Sequence, residues 1–178
     1  MKNLCYMTFF YLSILSLNAQ QLVQINEDTK VNFKIKNFGV YVTGSFSEVD
    51  IISNFDHSNL DNSHINAIIK VGSINTGNVK RDEHLFKDDF FDVDNFKHIK
   101  LESSKIEKLS GTGYKLTAKL SIKNTTKLIS LPLEIIENND SLMIKSNFEI
   151  NRKDYDVGGN TWVLSNIVKI QVVFNAKK

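Results

Sequence analysis

The chain has 178 residues, 42% of them hydrophobic and 24% charged, and a formal net charge of +2. That balance excludes a disordered polyelectrolyte, and a charge so near zero gives no reason to expect a nucleic-acid partner. The length suits one domain with a sizeable core.

The N-terminus reads as a secretory signal peptide over residues 1–19. Lys2 supplies the positive start, Leu4 to Leu17 is mostly apolar, and Asn18-Ala19-Gln20 offers a cleavage point. The run is too short to span a bilayer, which needs roughly 20 apolar residues. Cys5 lies near its beginning, not at its end where a lipoprotein anchor would need it, so no stable membrane anchor is expected. Cleavage removes Lys2 and Cys5, the only cysteine, and leaves a chain of charge +1 without disulfides. Residues 20–178 then form one exported domain, periplasmic or secreted.

From Leu22 onward the signal has period two, as a strand with one buried face requires. Val31, Phe33 and Ile35 share a face, as do Val40, Val42, Gly44 and Phe46. A polar loop at Asp56 to Asn62 precedes a strand at Ile65 to Val71. Beyond residue 98, Ile99 and Leu101 open a strand that ends near Ile106, and Ser110-Gly111-Thr112-Gly113 makes a hairpin turn. Tyr114, Leu116, Ala118, Leu120 and Ile122 then point one way, with Lys115, Lys119 and Lys123 on the opposite, solvated face. Leu131, Leu133 and Ile135 follow, with Pro132 marking an edge, a strand start or a bulge. Leu142, Ile144, Ser146, Phe148 and Ile150 form the next inward row, and Val168, Ile170, Val172 and Phe174 the last. About eight strands joined by short turns predict an all-β fold, an antiparallel sheet that closes into a barrel. A barrel of that size either fills with side chains or leaves room for one ligand.

One stretch breaks the alternation. Ser73 to Val93 gathers Arg81, Asp82, His84, Asp88 and Asp89 with Phe90 and Phe91, a mixture suited to a short helix and loop capping an apolar interior. Arg81 and Asp82 are expected to fix this cap through a paired charge and hydrogen bonds to exposed backbone at a short helix end, and the Ser73 and Thr76 hydroxyls to satisfy turn backbone before the helix. His84, Asp88 and His98, with His57 and His64 upstream, form no tight metal-ligand motif, so no metal is expected.

Several of these segments are similar to the YceI-like, polyisoprenoid-binding family. They are VNFKIKNFGVYVTGSF at Val31 to Phe46, Ser73-Ile74-Asn75-Thr76-Gly77, Arg81-Asp82 with His84-Leu85, and Asp89-Phe90-Phe91-Asp92. Ser103, the hairpin Lys115 to Leu133, Phe148 to Tyr155 and the closing Val168 to Phe174 strand complete the likeness. Phe96-Lys97 and Asp156 depart from it, standing where the family often has a proline and a glycine.

The resemblance implies an extended lipocalin-like antiparallel β-barrel with a short capping helix and loop. Its interior would hold a long isoprenoid, a quinone or a fatty-acyl lipid. On that reading the pore is lined by Phe33, Val42, Ile69, Leu101, Leu116, Leu120, Leu133, Ile144, Phe148 and Ile170. A ten-residue strand spans about 33 Å, enough for an extended tail. Arg81, Asp82, His84, Phe90 and Phe91 form the cap or lid, and Arg81 and Arg152 are the candidates for contact with a polar head group. The resulting expectation is a carrier or store, not an enzyme, with no cofactor besides its lipid; a homodimer is compatible with it. Two readings stand beside this one: a lipid-modifying enzyme using His84 as general base near Asp82 or Asp89, and a solid-core envelope stress or structural protein without ligand.

Overall fold

A computed structural model describes residues 22–111 and 113–178, so the predicted leader lies outside the described residues. Eleven strands form one curled antiparallel sheet. They are β1 (Val23–Gln24), β2 (Lys30–Asn37), β3 (Val40–Phe46), β4 (Val49–Ser53), β5 (Ile65–Lys70) and β6 (Ile74–Asn75), then β7 (His98–Lys108), β8 (Gly113–Ile122), β9 (Thr125–Glu137), β10 (Ser141–Asn151) and β11 (Leu164–Lys177). The single α-helix among the described residues, α1 (Val79–Leu85), falls within the capping stretch. Eleven strands replace the expected eight because β1, β4 and β6 are short pieces that alternation does not announce.

The strand order is β4-β5-β7-β8-β9-β10-β11-β2-β3-β6, with β1 added to the end of β11. Successive strands from β7 to β10 are joined by tight turns, which is why they pair antiparallel, and a longer segment returns β11 beside β10. The register sets one row of apolar side chains inward. Leu116 pairs with Leu131 and Ile106, Ile144 with Phe174 and Ile135, and Phe33 with Ile170 and Gly44. Gly44 is required by packing, since any side chain there would overlap the Phe33 ring crossing the β3 backbone.

The two ends of the sheet are drawn together by side chains that imitate ladder rungs. The Gln24 amide donates to the Val49 carbonyl at 2.7 Å and accepts from the Ile51 N–H at 2.6 Å, joining β1 to β4. At the other junction the Ser73 hydroxyl donates to the Lys70 carbonyl at 2.7 Å and accepts from the Glu48 N–H at 3.1 Å. The Ser73 carbonyl in turn accepts from the Ser47 N–H at 3.2 Å. Ser73 is therefore a clasp between β3, β4 and β5 rather than a satisfier of the turn before α1. Asn78 caps that helix, accepting from the Arg81 N–H.

Ser103 sits at the irregularity in β7, where pairing with β8 shifts register. Its backbone N–H donates to Asn66 Oδ1, and its hydroxyl accepts from the Ile65 N–H. Pro132 occupies the point where β9 leaves β10. The β9–β10 ladder covers only Glu134–Glu137, and the Pro132 carbonyl is taken instead by the Ser146 hydroxyl at 2.7 Å.

Two apolar clusters fill the interior unequally. The larger, with Phe55, Tyr114, Ala118, Leu142, Phe174 and Ala176, packs one end solid. The smaller gathers Val71, Ile99, Leu120, Ile122, Tyr155 and Val157 beneath Phe90 and Phe91. Replacing Ser73 by Ala should leave the Glu48 N–H without its partner at the clasp. We expect a loss of about 1–3 kcal/mol in urea denaturation with an unchanged m-value; full stability in Ser73→Ala would show that the edges meet without it.

Candidate ligand cavity

Between the two clusters lies a cavity of about 440 Å³, lined by side chains from most strands of the sheet. All ten residues picked out from the sequence lie on its wall. Phe33 and Val42 come from the β2–β3 hairpin, Ile69 and Leu101 from β5 and β7, and Leu116 and Leu120 from β8. Leu133, Ile144, Phe148 and Ile170 complete the ring from β9, β10 and β11. The wall also includes Val31, Ile35, Phe46, Ile150, Val168 and Val172, which the same alternation marks.

The interior does not run the full length of the strands. Leu116 and Phe174 are each 1% exposed and close it off at the packed end. The extended pore implied by the resemblance is instead a blind cavity, because Phe55, Tyr114 and Leu142 occupy its far part. Phe55 and Tyr114 meet edge to face there, with centroids 5.2 Å apart.

Polar groups reach the cavity in a few places, and their bonding differs. Thr76 joins Arg81 to Asp82. Its hydroxyl accepts from Arg81 Nε at 2.7 Å and donates to Asp82 Oδ1 at 2.5 Å, while its carbonyl accepts from Arg81 Nη2 at 2.8 Å. Arg81 and Asp82 make no direct ion pair, but the expected bonds to backbone are present: the Thr76 N–H donates to Asp82 and the Thr76 carbonyl accepts from Arg81. Arg81 Nη1 makes no hydrogen bond among the described residues.

His84 lies at the cavity edge with its side chain 56% exposed. Nε2 stands 3.2 Å from Asp89 Oδ2, and the ring meets Phe90 edge-on at 5.0 Å. Asp82, turned to Thr76, is not its partner. Among the described residues no group of three or more His, Cys, Asp or Glu side chains is placed to hold a metal ion. His57 is 3.4 Å from Glu137, and His98 pairs with Lys70 in the β5–β7 ladder.

Arg152, the other head-group candidate, also lines the cavity, but its guanidinium is committed to backbone. It is 3% exposed, and its guanidinium donates to the carbonyls of Val157 (2.7 Å), Gly158 (2.8 Å), Gly159 (2.9 Å), Ser165 (2.9 Å) and Leu164 (3.2 Å). The donors of the fork are spent on backbone. Burial pushes its pKa below the usual arginine value, and no carboxylate pairs with it among the described residues. The carbonyl dipoles replace the missing counter-charge.

The loop that Arg152 organises supports the lid. The Gly158 N–H donates to the Asp89 carbonyl at 2.7 Å, and a side chain at Gly158 would press on the Phe90 ring. Lys123, from the β8–β9 turn, donates to the carbonyls of Asp88 (2.9 Å) and Asp156 (3.2 Å). Its ammonium is therefore a clamp, not part of a solvated stripe. Asp156, the departure from a frequent glycine, has φ +52°, so the aspartate adopts the left-handed backbone that glycine would favour.

An antiparallel sheet curled round one blind apolar cavity, with a short helix and aromatic lid, defines a lipocalin-like barrel. Residues 23–176 match the YceI-like domain, and the chain belongs to that family. A UPF0312 protein of Photorhabdus laumondii is 29% identical over 107 residues, 60% of this chain and 55% of the relative; the chain thus spans little more than half that relative's length. The crystal structure of Burkholderia cenocepacia BcnA superimposes with a TM-score of 0.82 at 22% identity, covering 86% of this chain and 99% of BcnA. A polyisoprenoid binding domain from Saccharophagus degradans, implicated in plant cell wall breakdown, gives a TM-score of 0.67 at 15% identity over 88% and 97% of the two chains. At these identities the two structures bear on the fold.

Arg152→Lys would supply at most three donors in place of five, without the planar fork. We expect a loss of roughly 3 kcal/mol in denaturant, with faster amide exchange confined mainly to residues 156–165. Unchanged exchange there would remove Arg152 as the organiser of the loop.

Proposed function

We propose that this protein is an exported carrier or store that holds a long-chain isoprenoid, a quinone or a fatty-acyl lipid in its cavity, and that it is not an enzyme. The observation that carries this reading is the cavity itself. Aliphatic and Phe side chains from strands around the barrel converge on one space that they do not fill. Dispersed core residues would close such a space, because interiors normally pack without voids larger than water. An empty apolar space of a few hundred Å³ matches the size range of small-molecule sites. A hydrocarbon tail gains roughly 25 cal/mol for each Å² removed from water, so several prenyl units contribute on the order of 10 kcal/mol before ordering costs. The polyisoprenoid-binding description of the Saccharophagus domain supports the same ligand class.

Arg81 is the group we assign to the polar end of the ligand. It lines the cavity, it is held in place by Thr76, and Nη1 remains available. A guanidinium suits phosphate or carbonyl oxygens. The enzyme alternative rests on His84, which is solvent-facing and paired with Asp89.

Native mass spectrometry of the purified protein should show a lipid-sized adduct, and delipidated protein should take up a long isoprenoid delivered from ethanol. Ile170→Trp, which fills the cavity from its wall, should abolish uptake while leaving the thermal midpoint within a few degrees. Leu116→Trp, in the packed end, should instead cost about 1–3 kcal/mol. Ligand-free protein that ignores added isoprenoids, or a folded Ile170→Trp that still takes them up, would count against the reading. Arg81→Gln should weaken an isoprenyl phosphate by about tenfold and leave the isoprenol unchanged; equal effects on both would remove Arg81 from the head-group role.

A further inference from the structure

The cavity is blind at its packed end, so a ligand must pass the opposite rim, and that rim carries an unusual set of exposed side chains. Trp162 is 94% exposed and Phe38 72% exposed, and the two rings stand 6.4 Å apart, edge to face. Val40 beside them is 69% exposed. The patch is continuous with the interior: Asn37, Phe38, Thr161 and Val163 belong to the cavity wall. The Phe38 N–H donates to the Val163 carbonyl at 2.8 Å, so the two rim segments are tied together.

Phe38 is also held in an unfavourable backbone. The β2–β3 turn places Phe38 at φ +49° and Gly39 at φ +77°. A two-residue turn with both centres in the left-handed region suits Asn-Gly or Gly-Gly, and a bulky aromatic there is strained. A ring so exposed, on so strained a backbone, adds little to the stability of the fold. Exposed apolar groups gathered at an opening mark a contact surface.

The surrounding charge indicates what is contacted. Lys34 and Lys36 flank the patch on β2, their ammonium groups 4.1 and 5.1 Å from the centre of the Tyr41 ring. Lys153 donates to Asn160 in the loop that carries Trp162. None of the three makes an ion pair among the described residues. Trp and Tyr at the water boundary, apolar side chains beyond them and unpaired lysines behind form the arrangement that settles at the headgroup layer of an anionic membrane.

We propose that the Phe38–Val40–Trp162 rim docks on the surface of an anionic lipid bilayer and sets the cavity mouth against it, so that lipid enters without crossing water. This rests on the lipid-holding reading of the cavity, but its failure can be told apart from failure of that reading. Trp162 is the only tryptophan in the chain and reports directly on the rim. Its emission should shift to the blue on mixing with vesicles of phosphatidylcholine and phosphatidylglycerol that carry an isoprenoid quinone, and salt should reverse the shift. Phe38→Asn removes the ring and suits the turn, so it should keep or raise the thermal midpoint while weakening vesicle binding roughly tenfold. Lys36→Gln should weaken it about fivefold.

Lys36→Gln, which lies outside the cavity wall, should load quinone from vesicles more slowly and from ethanol normally. Normal loading from ethanol with no change in Trp162 emission on any vesicle would overturn the docking and leave the cavity reading intact. A vesicle-dependent shift without quinone uptake from either source would support the docking and sink the cavity reading. A blue shift that needs only higher protein concentration would assign the rim to a second copy of the chain and overturn the proposal.

Discussion

The lidded end of the barrel depends on one buried cation. Arg152 follows β10 directly, and its guanidinium gathers the carbonyls of residues 157–159 and the start of β11 into one turn. A buried charge without a carboxylate partner is costly unless its donors are saturated. Saturation here also does structural work, because the same turn receives the Asp89 carbonyl through Gly158 and packs against Phe90. It leads on to the rim that carries Trp162. Lid, turn and mouth are therefore one construction around a single side chain.

The opposite end follows different physics. Phe55, Tyr114, Leu142 and Phe174 pack as an ordinary core, and the stability of the barrel is concentrated there. The strands between are obliged to present apolar faces inward without having anything to pack on. That division explains how a chain can leave a cavity unfilled and still hold together: one end is core, and the remainder is wall.

The wall was largely legible in the sequence. Period-two alternation in β2, β8, β10 and β11 identifies inward residues because every side chain on such a strand has only two directions to take. The short strands were not legible. β4 contributes Val49, Ile51 and Ser53 inward, and the buried serine with an exposed Ile52 destroys its apparent alternation. The side-chain rungs from Gln24 and Ser73 were also hidden, since nothing local distinguishes a polar residue that closes a sheet from one that faces water. Arg152 reads as a free head-group donor for a related reason: charge is visible in a sequence, whereas its saturation by carbonyls twelve and thirteen residues away is not.

The departure of β9 from β10 gives the barrel a compliant side. Eleven residue pairs join β10 to β11, but four join β10 to β9, and beyond Pro132 the two strands part. Bending of a hydrogen-bonded wall concentrates where rungs are fewest. The β10–β11 pair then acts as a stiff spine, and the seam beside it as the place where girth can change. That seam lies apart from both the clasp at Ser73 and the packed floor.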